Sequence, residues 1–143
     1  MTKRATREEC NCFALRQAAR FVTQLYERHL SQAGVTAAQF TILSRLANHP
    51  DIAAAQLADD LVMDRTTLVR ALKPLQRDAL VVANTSEQDT RMLVYRLSAG
   101  GQRRYERARE LWQDAQAEFE QHLKRDRAKA LRAELFALTR PAA

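Results

Sequence analysis

The sequence has little of several things, and each shortage excludes something. It holds two cysteines in 143 residues, Cys10 and Cys12, too few and too close together to staple a fold; such sparse usage fits a reducing cytoplasm. Three glycines and three prolines leave little for a turn-rich β architecture, while abundant Ala, Leu, Arg, Glu and Gln favour helix. No apolar run approaches the roughly 18 residues of a membrane span, and the chain opens on Met1-Thr-Lys-Arg4 with no apolar leader. The expectation is a cytoplasmic protein that makes no contact with membrane. The three histidines, His29, His49 and His122, have no ligand spacing with one another or with the cysteines, so no metal site is expected. No Ser/His/Asp grouping and no Gly-rich phosphate loop occurs. The chain is not expected to be an enzyme, and no cofactor is implied.

What is present is a foldable composition, 46% hydrophobic and 28% charged, with a net charge of +6. That length and balance suit one domain with helical extensions. The charge is unevenly placed. Residues 51–98 hold six basic and seven acidic side chains, net −1, against +4 before them and +3 after them. Within that near-neutral third, the stretch from Arg65 to Arg77 carries Arg65, Arg70, Lys73 and Arg77 and no acid. Its compensating acids, Asp59, Asp60, Asp64 and Asp78, flank it.

Periodicity gives the elements. Thr6-Arg-Glu-Glu9 reads as a capping box opening a first helix, with Leu15, Ala18, Val22, Leu25, Tyr26 and His29/Leu30 at helical spacing and Gly34 at its end. Thr36-Ala-Ala-Gln39 is a second capping box, for a helix stopped near His49-Pro50. A short helix from Ala54 to about Asp60 leads into a tight turn at Val62-Met63, and Asp64 caps a helix over roughly 65–78. There Leu68, Leu72 and Leu75 form a buried stripe, and Thr66, Arg70, Lys73 and Arg77 form a second, basic stripe on the other side. Val81–Ala83 and Met92–Tyr95 read as strands joined by a polar loop. Ser98 caps a long helix bearing Tyr105, Ala108, Trp112, Ala115, Phe119 and His122 at heptad spacing, and a last helix carries Leu131, Leu135 and Leu138.

Helix, tight turn, basic helix and hairpin in that order make a winged helix-turn-helix with terminal helices, a mainly α fold. The chemistry of such a unit is DNA recognition. A helix entering the major groove needs donors for base edges and positive charge for phosphates. Thr66 and Thr67 lie in the first turn, where N–H groups and hydroxyls suit a phosphate; Arg65 adds charge there, and Arg70 and Lys73 follow one and two turns on, toward base edges. Arg91 leaves the hairpin tip beside Asp89, as an arginine suited to the minor groove. Two rival readings stay open: a solvated helix face, and a protein-interaction module in which the wing reads nothing.

The run from Gln56 to Val82, with Ser86-Glu-Gln-Asp-Thr-Arg91 and Leu97-Ser-Ala-Gly-Gly101 behind it, resembles the MarR family of bacterial transcriptional regulators. The resemblance covers nearly the whole chain. It implies a homodimer on a pseudo-palindromic double-stranded operator, acting as a repressor relieved by a small aromatic or phenolic ligand or by thiol oxidation. The winged lobe is then residues 36–98, with dimerisation helices in 1–35 and 99–143. The wing Asp89 and Arg91 and the helix Arg65–Arg77 carry the reading role. Two positions depart from the family: Ala79 stands where glycine is usual, and Pro74 sits inside the reading helix, where it is expected to bend the C-terminal half.

The lobe alone is too small to cover the stripes Ala18/Val22/Leu25 and Trp112/Phe119, which predicts a second subunit; partial packing within one chain is the alternative. Cys10-Asn-Cys12 hints at regulation. Two thiols at i and i+2 of a helix point about 200° apart and do not readily share a disulfide if both are helical. Cys12 with Tyr26 resembles the family's organic-peroxide-sensing branch, in which two tyrosines hold the cysteine. Tyr26 lies about 21 Å from Cys12 along one helix, so they could meet only across a dimer, and the second tyrosine position is Ala37.

Overall fold

The structure is a computed structural model that describes residues 6–140. Helix α1 (Asn11–Leu30) is followed by a 3-10 turn, Ser31–Ala33, and by Gly34 in the left-handed region at φ 71°. Helix α2 (Ala37–Asn48) opens on the expected capping box: the Gln39 N–H donates to Thr36 Oγ1 at 3.1 Å and the Thr36 N–H donates to Gln39 Oε1 at 3.0 Å. Then come β1 (Ile52–Ala53), α3 (Ala54–Asp60), α4 (Arg65–Arg77), β2 (Val81–Thr85), β3 (Leu93–Leu97), α5 (Ala99–Leu123) and α6 (Arg125–Thr139). The sheet has the order β1-β3-β2, both pairs antiparallel, with Val81 opposite Leu97 and Ile52 opposite Tyr95. The two-residue β1 carries too little alternation to be read from sequence.

One core unites α2, α3, α4 and the sheet with parts of α1 and α5. Leu43 and Leu46 of α2, Leu57 of α3, Leu68, Leu72 and Leu75 of α4, and Val81 of β2 are all almost wholly buried. Helix α5 lies against α1 and α2 and buries Ala108, Leu111 and Ala115. Arg28 Nη2 donates to Glu118 Oε2 at 2.6 Å and the Tyr26 hydroxyl donates to Gln116 Oε1, so polar bonds fasten α1 along α5. The Arg28 guanidinium, aided by His29, holds the Glu118 carboxyl below its usual range.

Three features correct the sequence reading. The Thr6–Glu9 capping box does not form: Thr6 makes no side-chain cap bond, Arg7–Glu9 is a single 3-10 turn, and Cys10 caps α1, its sulfur accepting from the Phe13 N–H at 3.3 Å. Cys10 is therefore extended, not helical, and the 200° separation of the two thiols does not apply. Second, part of the stripes assigned to a second subunit is covered within the chain. Leu25 is buried, Ala108 and Ala115 are fully buried, and Trp112 is half-buried on Phe40, because α1 and α2 already flank α5. Third, Leu15, read at the helical spacing of α1, and Ala18, read in the stripe left for a second subunit, take no part in the chain's own core: both are exposed.

Four described non-glycine residues, Asp51, Val62, Ala79 and Lys124, have positive φ, and two of them flank α4. Val62, in the turn before α4, has φ 54°, and Ala79, just after it, has φ 57°. Each places a Cβ in the left-handed region at a cost of roughly 1–2 kcal/mol. The Ala79–Leu80 corner is fixed by Ser98, whose N–H donates to Leu80 O at 3.0 Å and whose hydroxyl donates to Ala79 O. Ser98 Oγ also accepts from the Gly101 N–H, capping α5. Glycine at 101 is required by this closeness: a Cβ there would lie 1.9 Å from Leu80 O.

Candidate nucleic-acid interface and ligand cavity

Helix α4 is built to show one face. Asp64 Oδ1 accepts from the Thr67 N–H at 2.8 Å, and the Thr67 hydroxyl donates to Asp64 Oδ2 at 2.7 Å. The Thr67 hydroxyl bond, then its N–H, hold the Asp64 carboxyl below its usual range. With Leu68, Leu72 and Leu75 locked in the core, Thr66, Arg70, Lys73 and Arg77 are forced outward, and all four are exposed. Arg65, Arg70 and Lys73 form no ion pair among the described residues. Arg77 Nε lies 3.9 Å from Asp78 Oδ1, so that charge is partly answered within the chain. Thr67 is also exposed, but its hydroxyl proton and N–H are occupied by the cap, and the cap carboxylate already sits at the helix N-terminus. Pro74 leaves the Arg70 carbonyl without its usual donor, yet the helix continues to Arg77.

The loop between β2 and β3 forms a shaped tip. Ser86 is buried, its hydroxyl oxygen accepts from the Gln88 and Asp89 N–H groups, and its own N–H donates to Met92 O at 2.8 Å. Asp89 Oδ1 accepts from the Arg91 N–H at 3.0 Å and from Arg91 Nε at 3.2 Å, yet the Arg91 side chain stays 90% exposed. The carboxylate aims the arginine without covering it.

A cavity of about 840 Å³ opens between α1, α2 and α5 and reaches Leu61 at the end of α3. Phe40 stacks on Tyr105 and Trp112, with centroids 5.9 and 6.1 Å apart and planes inclined at 21° and 24°. Tyr26, Arg45 and Arg109 also line it, and no acidic residue does. A volume of this size with aromatic walls and a few polar groups suits a small organic molecule. Sequence reasoning missed it, because its walls come from helices far apart in the chain. Its one signal was the spacing of Tyr105 and Trp112, which reads equally as helix packing.

Cys12 and Tyr26 are not brought together: Cys12 is exposed in the first turn of α1, Tyr26 near its end. Burial, with Glu120 adding to it and Arg132 opposing, pushes the Tyr26 phenol above its usual range.

The fold and its basic helix define a winged helix-turn-helix protein. A family profile described as MarR family matches residues 33–92. The organic hydroperoxide resistance transcriptional regulator of Bacillus subtilis (strain 168) is 28% identical over 90 residues, 63% of this chain; the match spans 61% of that relative's length. Among solved structures, the M. tuberculosis transcriptional regulator MosR in complex with DNA is 31% identical with a TM-score of 0.82, covering 92% of this chain and 94% of that one. The transcriptional repressor CouR bound to a 23-mer DNA duplex is 25% identical with a TM-score of 0.85, covering 96% and 100%. Over residues 33–92 the chain thus resembles the MarR family.

Proposed function

We propose that this chain is a sequence-specific DNA-binding transcriptional regulator, a homodimeric repressor that a small aromatic or phenolic ligand releases from DNA. The observation that carries the reading is α4. Its leucine stripe is wholly internal, so its unpaired basic stripe faces solvent with Thr66, Arg70 and Lys73 in one line. Arg70 and Lys73 contact base edges, Arg65 and Thr66 the backbone, and Thr67 acts through the cap that sets the helix start. Arg91, aimed by Asp89, enters the minor groove. The DNA-bound states of the MosR and CouR structures support this reading.

The homodimer is supported by what the chain leaves uncovered. Phe13, Leu15 and Phe21 of α1 and Leu131, Leu135, Phe136 and Leu138 of α6 are 39–69% exposed. A second copy covers such a surface when residues 1–35 and 99–143 form the dimerisation part and 36–98 the reading lobe. The cavity supports the ligand. On DNA flanking its gene the wild type retards the fragment; Arg70→Ala and Arg91→Ala, at matched salt, do not. Equal retardation by all three sinks the assignment.

A second reading is thiol-based peroxide sensing through Cys12. It is favoured by the exposure of both thiols at the start of α1 and by the relative named for organic hydroperoxide resistance. Cumene hydroperoxide then releases the wild type from DNA but not Cys12→Ser. Release that persists in Cys12→Ser and in Cys10→Ser removes the thiols from the mechanism.

A further inference from the structure

Helix α4 has two borders between its buried stripe and its basic one, and the chain treats them differently. Ala71 falls at one border and packs against the core. Val69 falls at the other, about 60° from Leu72 and about 40° from Lys73 at 100° per residue. It is partly buried, yet among the described residues it is not one of the partly buried apolar side chains that pack on the core. Its row holds Arg65 before it and Lys73 after it, each one turn and about 6 Å away along the axis. Neither cation forms an ion pair among the described residues. Valine is a poor choice for such a place. It loses rotamer freedom in a helix, and it offers a phosphate neither a donor nor a charge.

What Val69 does offer is a pair of methyl groups at the fifth residue of α4, in the N-terminal part of a reading helix that meets base edges. In the major groove guanine, cytosine and adenine show only donors and acceptors, while thymine adds an apolar group, its C5 methyl. That methyl lies in a groove walled by phosphates, so an apolar side chain set between two cations is its counterpart. Arg70, the next residue, is exposed and carries the fork that fits guanine O6 and N7. Resting on the DNA-reading proposal above, we infer that Val69 is a specificity residue: it packs on a thymine methyl in the base pair beside the one that Arg70 reads. Arg70 then selects by hydrogen bonds and Val69 by an apolar contact, on adjacent steps of one groove.

The probe is the duplex of DNA flanking the gene, synthesised either with thymidine or with deoxyuridine throughout. Uracil pairs as thymine does and lacks only the C5 methyl. Wild type and Val69→Ala are titrated against both duplexes at matched salt. Wild type should bind the uracil duplex about tenfold or more weakly, from about fourfold for one buried methyl at each of two half-sites. Val69→Ala should bind the thymine duplex less tightly than wild type and lose about threefold or less on going to uracil. It should also melt at or above the wild-type temperature, since Val69 lies off the core and alanine is the better helix former. A wild type that binds both duplexes equally, and still prefers them to an unrelated one, overturns this inference alone. So does a Val69→Ala that keeps the full tenfold gap, because another side chain then holds the methyl. A melting temperature lowered as by a core truncation overturns the placement of Val69 and the inference with it. A wild type with no preference for the thymine duplex over an unrelated duplex overturns the DNA-reading proposal and this inference together.

Discussion

Two helices of this chain carry leucines at the same spacing and meet opposite fates. In α4, Leu68, Leu72 and Leu75 are 0–1% exposed; in α6, Leu131, Leu135 and Leu138 are 39%, 40% and 69% exposed. An i, i+4, i+7 stripe states that one face wants cover and says nothing about who supplies it. For α4 the cover is α3 and the sheet of the same chain. For α6, whose buried residue is Ala128 alone, the chain provides little, and the proposed second copy provides the rest. The burial of the α4 stripe leaves its outer face free for the proposed DNA contact; the exposed α6 stripe is the surface that the proposed second copy covers.

The comparison breaks most sharply in the leucines. Leu72→Ala should cost about 2–5 kcal/mol, cavity included, and thermal unfolding should show that loss at every protein concentration. Leu135→Asp should instead act through assembly. Sedimentation should find a 16.3 kDa species in place of one twice that mass, with a melting temperature that no longer rises with concentration. A wild type that sediments as a monomer would leave the α6 stripe without an explanation.

Gly101→Ala comes next. Its Cβ would fall 1.9 Å from Leu80 O, so the corner between β2 and α5 must move, at about 1–3 kcal/mol or more, read by denaturant midpoint. Ala79→Gly goes the other way: with φ at 57°, removal of the Cβ should stabilise the lobe by about 1 kcal/mol. A neutral result there would mean the left-handed backbone is not strained by alanine.

The smallest effect is on pH. The Asp64 carboxyl is held below its usual range by the Thr67 hydroxyl and N–H. A depressed folded-state pKa gives stability that is present above the unfolded carboxylate pKa, near 4, and is lost as pH falls through the folded value. Asp64→Asn keeps a capping oxygen but no charge. The wild type should therefore lose stability faster than Asp64→Asn on acidification below about pH 4, measured by thermal melts.

How much of this was legible follows from where each signal lives. The α4 helix was readable entire, because Asp64, the leucine stripe and the basic stripe all lie within fifteen residues. The α2 capping box was readable for the same reason. The start of α1 was not: Thr6 and Glu9 spell a capping box, but the chain takes a 3-10 turn there and caps the helix with a sulfur. The apolar face of α5 was readable as a face, but Phe40, which lies in another helix and covers Trp112, was not. The cavity was beyond reach, since it exists only once α2, α3 and α5 are placed together. Among the residues proposed to face DNA, Thr67 does lie in the first turn of α4, but sequence missed that the Asp64 cap would occupy it.

The central claim is that the outer face of α4 reads sequence. Its most direct test is a titration of wild type and Arg70→Ala against DNA flanking the gene and against an unrelated duplex, each over a salt series. Wild type should prefer the flanking DNA, and Arg70→Ala should lose about 1–3 kcal/mol of that preference, with the salt slope changed by no more than about one phosphate. An Arg70→Ala protein that keeps the full preference would contradict the account.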